Sequence, residues 1–249
     1  MATIRALQQF LQDYLKVEGI HDDSINRFQV RGREEVKKIA LGVDACMDLF
    51  KEADRWDADM ILVHHGLFWK GKNYTPALRD ARIAFLRKKG MSLYASHLPL
   101  DLHPEVGNNI VIARKLGLGN LKPFGFHHGT PIGFTGALVT DRDRLASSIE
   151  GWLKTSCIIH PFGPKTTKKV AVISGGGSSC IEECAKKGID TFISGEPSHS
   201  WYHAEKEYHI NAIFAGHYKT ETLGVKALGK LLSERFNSEV RFFDFPTGL

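Results

Sequence analysis

Ile4, Leu7, Leu11, Tyr14 and Leu15 recur at helical spacing, so residues 2 to 17 read as an amphipathic helix. The period then changes. Ile39-Ala40-Leu41-Gly42-Val43 is a short apolar strand, residues 45 to 55 a helix, and Met60-Ile61-Leu62-Val63 a second buried strand, which together make a βαβ unit. The same grammar returns later in the chain. Val170-Ala171-Val172-Ile173 is a strand, Ser174 to Ser179 a Gly/Ser loop, residues 180 to 187 a helix and Thr191-Phe192-Ile193 a strand. From Ile39 to Asp59 is 20 residues and from Val170 to Asp190 is 20 residues, so the segments superpose without a gap and His65 falls opposite Glu196.

Each half continues into a further strand that ends in a histidine, with a carboxylate four residues on. These are Ser92-Leu93-Tyr94-Ala95-Ser96-His97 with Asp101, and Ala212-Ile213-Phe214-Ala215-Gly216-His217 with Glu221. The pattern predicts an α/β fold of two similar lobes, an internal duplication, facing each other across one site with a small inserted element between them. The boundaries fall at 1–117 for the first lobe, 118–168 for the insert and connecting helix, and 169–249 for the second lobe. In open parallel sheets ligands collect outside the carboxyl ends of the strands, where these histidines lie. The insert is rich in Gly and Pro, contains Gly133 to Val139 and has a helix near residues 141 to 154. Its His127-His128-Gly129 follows Pro123 and Gly125 rather than a strand and reads as a polar loop, or as a lining of the site entrance.

Composition narrows the class. The chain has 249 residues, 43% hydrophobic and 24% charged, as expected of a globular protein with a large core. No stretch approaches the roughly 18 to 20 apolar residues of a membrane span, and Asp13 and Glu18 stand where a secretory signal would be uncharged, so a cytoplasmic location is expected. Cys46, Cys157, Cys180 and Cys184 form no CxxC pair and read as reduced, mostly buried thiols. Cys180 and Cys184, four apart on a predicted helix, lack further ligands for a soft metal. A net charge of +5 would suit an acidic partner such as nucleotide or nucleic acid, yet the basic residues come in short scattered clusters that read as solvated helix ends.

The chemistry centres on Val63-His64-His65-Gly66. Imidazole and carboxylate are ligands of borderline or hard metals, and rigid strand ends hold them well. Adjacent strand residues point to opposite sides, so His64 and His65 serve two ions, or one ion if the chain turns at Gly66. Two metals about 3.5–4 Å apart polarise a substrate oxygen while lowering the pKa of a shared water. If a helix begins near residue 217, His217 and Glu221 share one face. Pro99 disfavours the same turn between His97 and Asp101, leaving Asp101 as a ligand and His97 as a proton or hydrogen-bond donor. Mixed ligation of this kind suits Zn, Mn, Fe, Co or Ni. The plain alternative is that single histidines are more often hydrogen-bonded structural residues than ligands. Ser174-Gly175-Gly176-Gly177-Ser178-Ser179 reads first as a tight turn capped by Ser178 or Ser179, and otherwise as an anion cradle.

With Val63-His64-His65-Gly66, Ser96-His97-Leu98-Pro99-Leu100-Asp101 followed by Gly107-Asn108-Asn109, Ser194-Gly195-Glu196 and Gly216-His217-Tyr218-Lys219-Thr220-Glu221 in view, nearly the whole chain resembles a dinuclear-metal family. That family is named after NGG-interacting factor three, and its bacterial members are often labelled type-two homologs of GTP cyclohydrolase I. The resemblance implies metal ligands at His64, His65, Asp101, His217 and Glu221, two divalent ions between two α/β lobes, and a ring-shaped hexamer. Leu98 and Leu100 stand where members commonly have Thr and Asn. The expected function is a metal-dependent hydrolase for a small phosphorylated or nucleotide-like substrate. His97 or Glu196 would move protons and His199 would support the site from behind the ligands. The competing classes are a non-catalytic metal-binding regulatory protein and a nucleic-acid-binding ring.

Overall fold

The computed structural model describes residues 2–71 and 75–248. The chain forms two compact units, the first from residues up to Val106 together with Gly224–Phe245, the second from Gly107–Leu223 with residues from Pro246 on.

The first unit is built on a five-stranded sheet in the order Glu239–Phe242, Lys38–Asp44, Met60–His65, Ser92–Ala95, Phe28–Val30. The first four strands run parallel and the last is antiparallel to its neighbour. Interior positions of the two central strands are buried on both faces, which is why they read as continuous apolar runs rather than alternating ones. Alternate residues serve opposite layers. Ile39, Leu41, Met60 and Leu62 meet Leu7, Leu11 and Leu15 of the helix Ile4–Leu15, together with Val225, Leu228 and Leu232. Ala40, Ile61 and Val63 meet Leu49 and Phe50 of the helix Met47–Arg55 and Leu86 of the helix Pro76–Lys89. The first helix is shorter than its apolar spacing predicts, because Ala2–Thr3 pairs as a strand with Glu35–Val36 and the Thr3 hydroxyl accepts the Ala6 N–H at 3.2 Å.

The second unit holds a six-stranded sheet in the order Gly119–His127, Thr130–Asp141, Thr166–Val172, Thr191–Ser194, Asn211–Phe214, Ile158–Pro161. Among the described strands of this sheet, Thr166–Val172 and Asn211–Phe214 each pair in parallel with Thr191–Ser194, and the other pairings are antiparallel. The helix Arg142–Leu153 lies where sequence places it, and its N-cap Asp141 accepts the N–H groups of Asp143 and Arg144.

The duplication is visible in atomic detail. Asp59 Oδ2 accepts the N–H groups of Lys37 and Lys38 at 2.8 and 3.0 Å, and Lys38 Nζ donates to the Trp56 carbonyl at 3.2 Å. In the second unit Asp190 Oδ2 accepts the N–H groups of Lys168 and Lys169 at 2.9 and 3.0 Å, and Lys169 Nζ donates to the Lys187 carbonyl at 2.5 Å. Each pair of positions is offset by 131 residues. The same aspartate clasp closes both βαβ units.

Two features differ from the sequence reading. The units divide the chain away from 117/118 and 168/169, because strand pairing is not local. Glu239–Phe242 pairs in parallel with Lys38–Leu41, and Thr130–Asp141 pairs with Thr166–Val172, so the supposed insert extends the second sheet. His127 ends a strand, and His128 and Gly129, with φ of 46 and 80, form the two-residue turn of a hairpin rather than a loop without a strand before it. Among the described residues no helix is long and apolar enough to cross a membrane.

Candidate metal centre

In the first unit the strand Met60–His65 delivers His64 and His65 at its end, and the backbone leaves strand geometry at Gly66. A Cβ at Gly66 would lie 2.3 Å from the Gln29 side chain and 2.6 Å from the Ala95 Cβ, so glycine lets the chain pack closely against both there. The rings of three histidines gather at this strand end. The His64 and His65 ring centroids are 4.7 Å apart, and the His97 centroid is 5.0 Å from His64 and 5.6 Å from His65. One nitrogen from each of the three lies within 4.8 Å of the others, close enough to share an ion.

Each ring is fixed through Nδ1. His64 Nδ1 donates to the Ser96 carbonyl at 2.9 Å, His65 Nδ1 to Asp44 Oδ1 at 2.8 Å and His97 Nδ1 to Asp22 Oδ1 at 3.0 Å. A carbonyl can only accept, so the His64 proton sits on Nδ1 and the lone pair on Nε2, which lies 3.4 Å from Asp101 Oδ2. This is the arrangement in which metal-binding imidazoles are oriented by outer partners. Asp22 is buried and also accepts the N–H groups of Ser24 and Leu98 at 2.9 and 3.0 Å. Burial pushes its carboxyl up, but the hydrogen bond and charge of His97, with Asn26 and Ser24, outweigh that and hold it below the usual carboxylate range.

Asp101 arrives by a route the sequence reading excludes. Leu98–Asp101 is a helical turn with His97 at its N-cap and Pro99 inside its first turn. Proline is tolerated there because its missing N–H would have no helical acceptor. Asp101 is 6% exposed, and its N–H donates to the His97 carbonyl at 3.1 Å.

In the second unit the helical turn His217–Thr220 begins after Gly216, whose φ is 88, and Glu221 follows as its C-cap. His217 Nε2 lies 3.2 Å from Glu221 Oε1, while His217 Nδ1 lies 3.0 Å from Glu196 Oε2. Burial disfavours the imidazolium, yet the two carboxylates outweigh it and push the His217 pKa up to about 9. Glu196 therefore orients His217 as Asp44 orients His65. The His199 side chain is exposed and makes no hydrogen bond or ion pair among the described residues.

The glycine loop is a wall beside His217 and Glu221. A Cβ at Gly175, whose φ is +60, would lie 2.3 Å from Glu221 Oε1 and 3.1 Å from His217 Nε2. The loop N–H groups of Ser174, Gly175 and Gly177 donate to Asn109 Oδ1, Thr220 Oγ1 and Ser194 Oγ, so these three are committed to a tight turn. Neither serine caps it; Ser178 Oγ donates to the Glu196 carbonyl instead. Among the cysteines Cys184 is buried and the others half-buried, all as free thiols. Sequence reasoning missed Asp22 and Asp44. For Asp44 the signal was present, since pairing Ile39 with Met60 in parallel register sets Asp44 beside His65.

An Archaeoglobus fulgidus protein named GTP cyclohydrolase 1 type 2 homolog is 43% identical over 241 residues, covering 97% of each chain. The solved structure titled protein ybgI, unknown function, superposes with a TM-score of 0.93 at 35% identity over 100% of both chains. That of TTHA1606 from Thermus thermophilus gives 0.92 at 36% identity, also over 100% of both. The profile of the Duf34/NIF3 (NGG1p interacting factor 3) family matches residues 2–247, and on this match and these identities the chain belongs to that family.

Proposed function

We propose that His64, His65 and Asp101 of the first unit and His217 and Glu221 of the second bind two divalent metal ions, and that the protein is a metal-dependent hydrolase of a small phosphorylated or nucleotide-like molecule. The observation that carries this reading is the shared anchoring of the histidines. His64, His65, His97 and His217 each have Nδ1 on a carbonyl or carboxylate, and His64 and His217 turn Nε2 to the carboxylates Asp101 and Glu221. Mixed imidazole and carboxylate donors fit Zn, Mn, Fe, Co or Ni. Bound there, such ions would supply Lewis acidity toward a substrate oxygen and make water nucleophilic at neutral pH.

The chain's own residues would do the rest. Asp22 holds His97 by Nδ1, so His97 would accept or return a proton at Nε2, and the Trp69 ring, 4.9 Å from His97 at 68°, would limit water around it. Glu196 would hold His217 in its binding orientation or take a proton itself. A cleft of about 420 Å³ in the second unit reaches Glu196 and Gly216 and is bordered by Phe214, Tyr218 and Lys219, a size and mixture that suit a small anionic substrate. The names of the relatives, GTP cyclohydrolase 1 type 2 homolog, point to the nucleotide-like end of that range.

The test is metal per chain by mass spectrometry on untagged protein purified without chelator, with His65→Ala and Glu221→Ala alongside, followed by a screen of nucleotides and phosphoesters with Mn²⁺, Zn²⁺ or Fe²⁺. About two ions in the wild type, falling in both variants, with turnover that Glu221→Ala abolishes, is the expected result. No metal after reconstitution refutes the centre, and metal without turnover across the panel refutes the hydrolase. A cytoplasmic homohexamer, implied by the family resemblance, is part of the same proposal and is tested by light scattering.

A further inference from the structure

The strand Phe28–Val30 forms one edge of the first unit's sheet. Arg27, Gln29 and Arg31 lie on or beside this strand. With Gln8 and Gln12, one turn apart on the helix Ile4–Leu15, they line a pocket of about 490 Å³ that Phe68 borders. Among the described residues no acidic side chain lines it. The Arg31 guanidinium meets the Gln8 side-chain oxygen, and neither Arg27 nor Arg31 pairs with a carboxylate among the described residues.

Two guanidiniums without a carboxylate partner in the lining of one pocket favour an anion there, and their planar forks match the oxygens of a phosphate. The amides divide the remaining work. Gln29 is committed to the fold, donating to the Ile25 carbonyl at 2.8 Å and accepting the Leu67 N–H at 2.6 Å, so it forms a fixed floor. The half-buried Gln12 side chain has no hydrogen-bond partner among the described residues and can donate and accept at once. Phe68 adds an aromatic face. The pocket lies within the usual range of small-molecule sites, about 300–1,000 Å³, and is larger than inorganic phosphate needs. We propose that it binds a nucleoside monophosphate, with the phosphate on Arg27 and Arg31, the base against Phe68, and Gln12 reading its edge. None of these residues belongs to the proposed metal centre.

Isothermal titration of the full-length protein as purified, with AMP, GMP, adenosine, inorganic phosphate and a short single-stranded oligonucleotide, tests this. One nucleotide site per chain should saturate and persist in Glu221→Ala, adenosine should not bind it, and phosphate should bind it more weakly. Arg27→Ala and Arg31→Ala should each weaken binding by about tenfold or more, the loss expected for a charge-assisted contact. Gln12→Leu should weaken AMP or GMP but not phosphate. Both arginines are exposed, and unchanged metal content and melting temperature would show that their variants fold. Glu221→Ala should leave nucleotide affinity intact. The proposal is overturned if neither nucleotide saturates in the millimolar range, if the arginine variants bind as the wild type does, or if affinity disappears in Glu221→Ala, which would move the nucleotide to the metal centre. Binding of the oligonucleotide alone, weakening steeply with salt, would also overturn it in favour of a nucleic-acid surface.

Discussion

Asp22→Ala is the most informative single perturbation of the first unit. The carboxylate is 3% exposed and accepts from Ser24 N–H, Leu98 N–H, Asn26 Nδ2 and His97 Nδ1 at 2.9, 3.0, 2.8 and 3.0 Å. Asn26 and His97 are only half-buried and can return to water when the carboxylate is removed. The Ser24 and Leu98 N–H groups are buried, and each donor left unmade costs about 1–3 kcal/mol. The expected loss is therefore about 4 kcal/mol. For a protein of this size that corresponds to a fall of about 10 °C in melting temperature, at roughly 2–4 °C per kcal/mol. The pH dependence has a definite sign. Because the folded carboxyl titrates below its unfolded value of about 3.9, its stabilisation is complete above that pH and is lost as pH falls through the folded value, so wild type and variant should converge on acidification. Calorimetry of both proteins from neutral to acid pH measures this. A fall below about 3 °C at neutral pH would mean that water satisfies those amides and that Asp22 is not the hub inferred for it.

Other expectations follow from the same contacts. Gly175→Ala should lower metal content while the protein stays folded, because a methyl there meets Glu221 Oε1 at 2.3 Å on a backbone with φ +60; unchanged metal per chain would refute the wall assigned to the loop. Asp59→Ala and Asp190→Ala should each cost about 1–3 kcal/mol in urea unfolding and agree within about 1 kcal/mol, since both remove the same two-amide clasp. A large cost for one and none for the other would argue against equivalent modules. Cys157 and Cys180, pushed up by burial to about 12 and about 11, and Cys184, raised for the same reason, should resist alkylation at pH 8 in the native state and react after unfolding; fast native labelling of all three, read by peptide mapping, would refute that.

How far the centre could be read from sequence depends on the distance over which each contact acts. His64 and His65 announce themselves because a buried apolar strand ending in two imidazoles is locally unusual, and the strand Met60–His65 holds them as expected. Asp22 gave no such sign. It reaches His97 across 75 residues of sequence, through a segment with neither strand nor helix periodicity. The Leu98–Asp101 turn was obscured by applying the proline rule without its positional exception, since Pro99 sits in a first turn, where no helical hydrogen bond is lost. The strand Glu239–Phe242 was hidden for a topological reason: its pairing with Lys38–Leu41 spans almost the whole chain, and no local pattern specifies which sheet a terminal strand joins. The repeat, by contrast, carried more than spacing. At its common offset Asp44 of the first module corresponds to Gly175 of the second. In the first module that position supplies a carboxylate to orient His65, and in the second it gives up its side chain so that Glu221 can occupy the space beside His217. The two copies have thus diverged in which element brings the carboxylate. Restoring an aspartate at Gly175 should therefore displace Glu221 instead of duplicating the first module's site, because the side chain it would add falls where Glu221 Oε1 already lies.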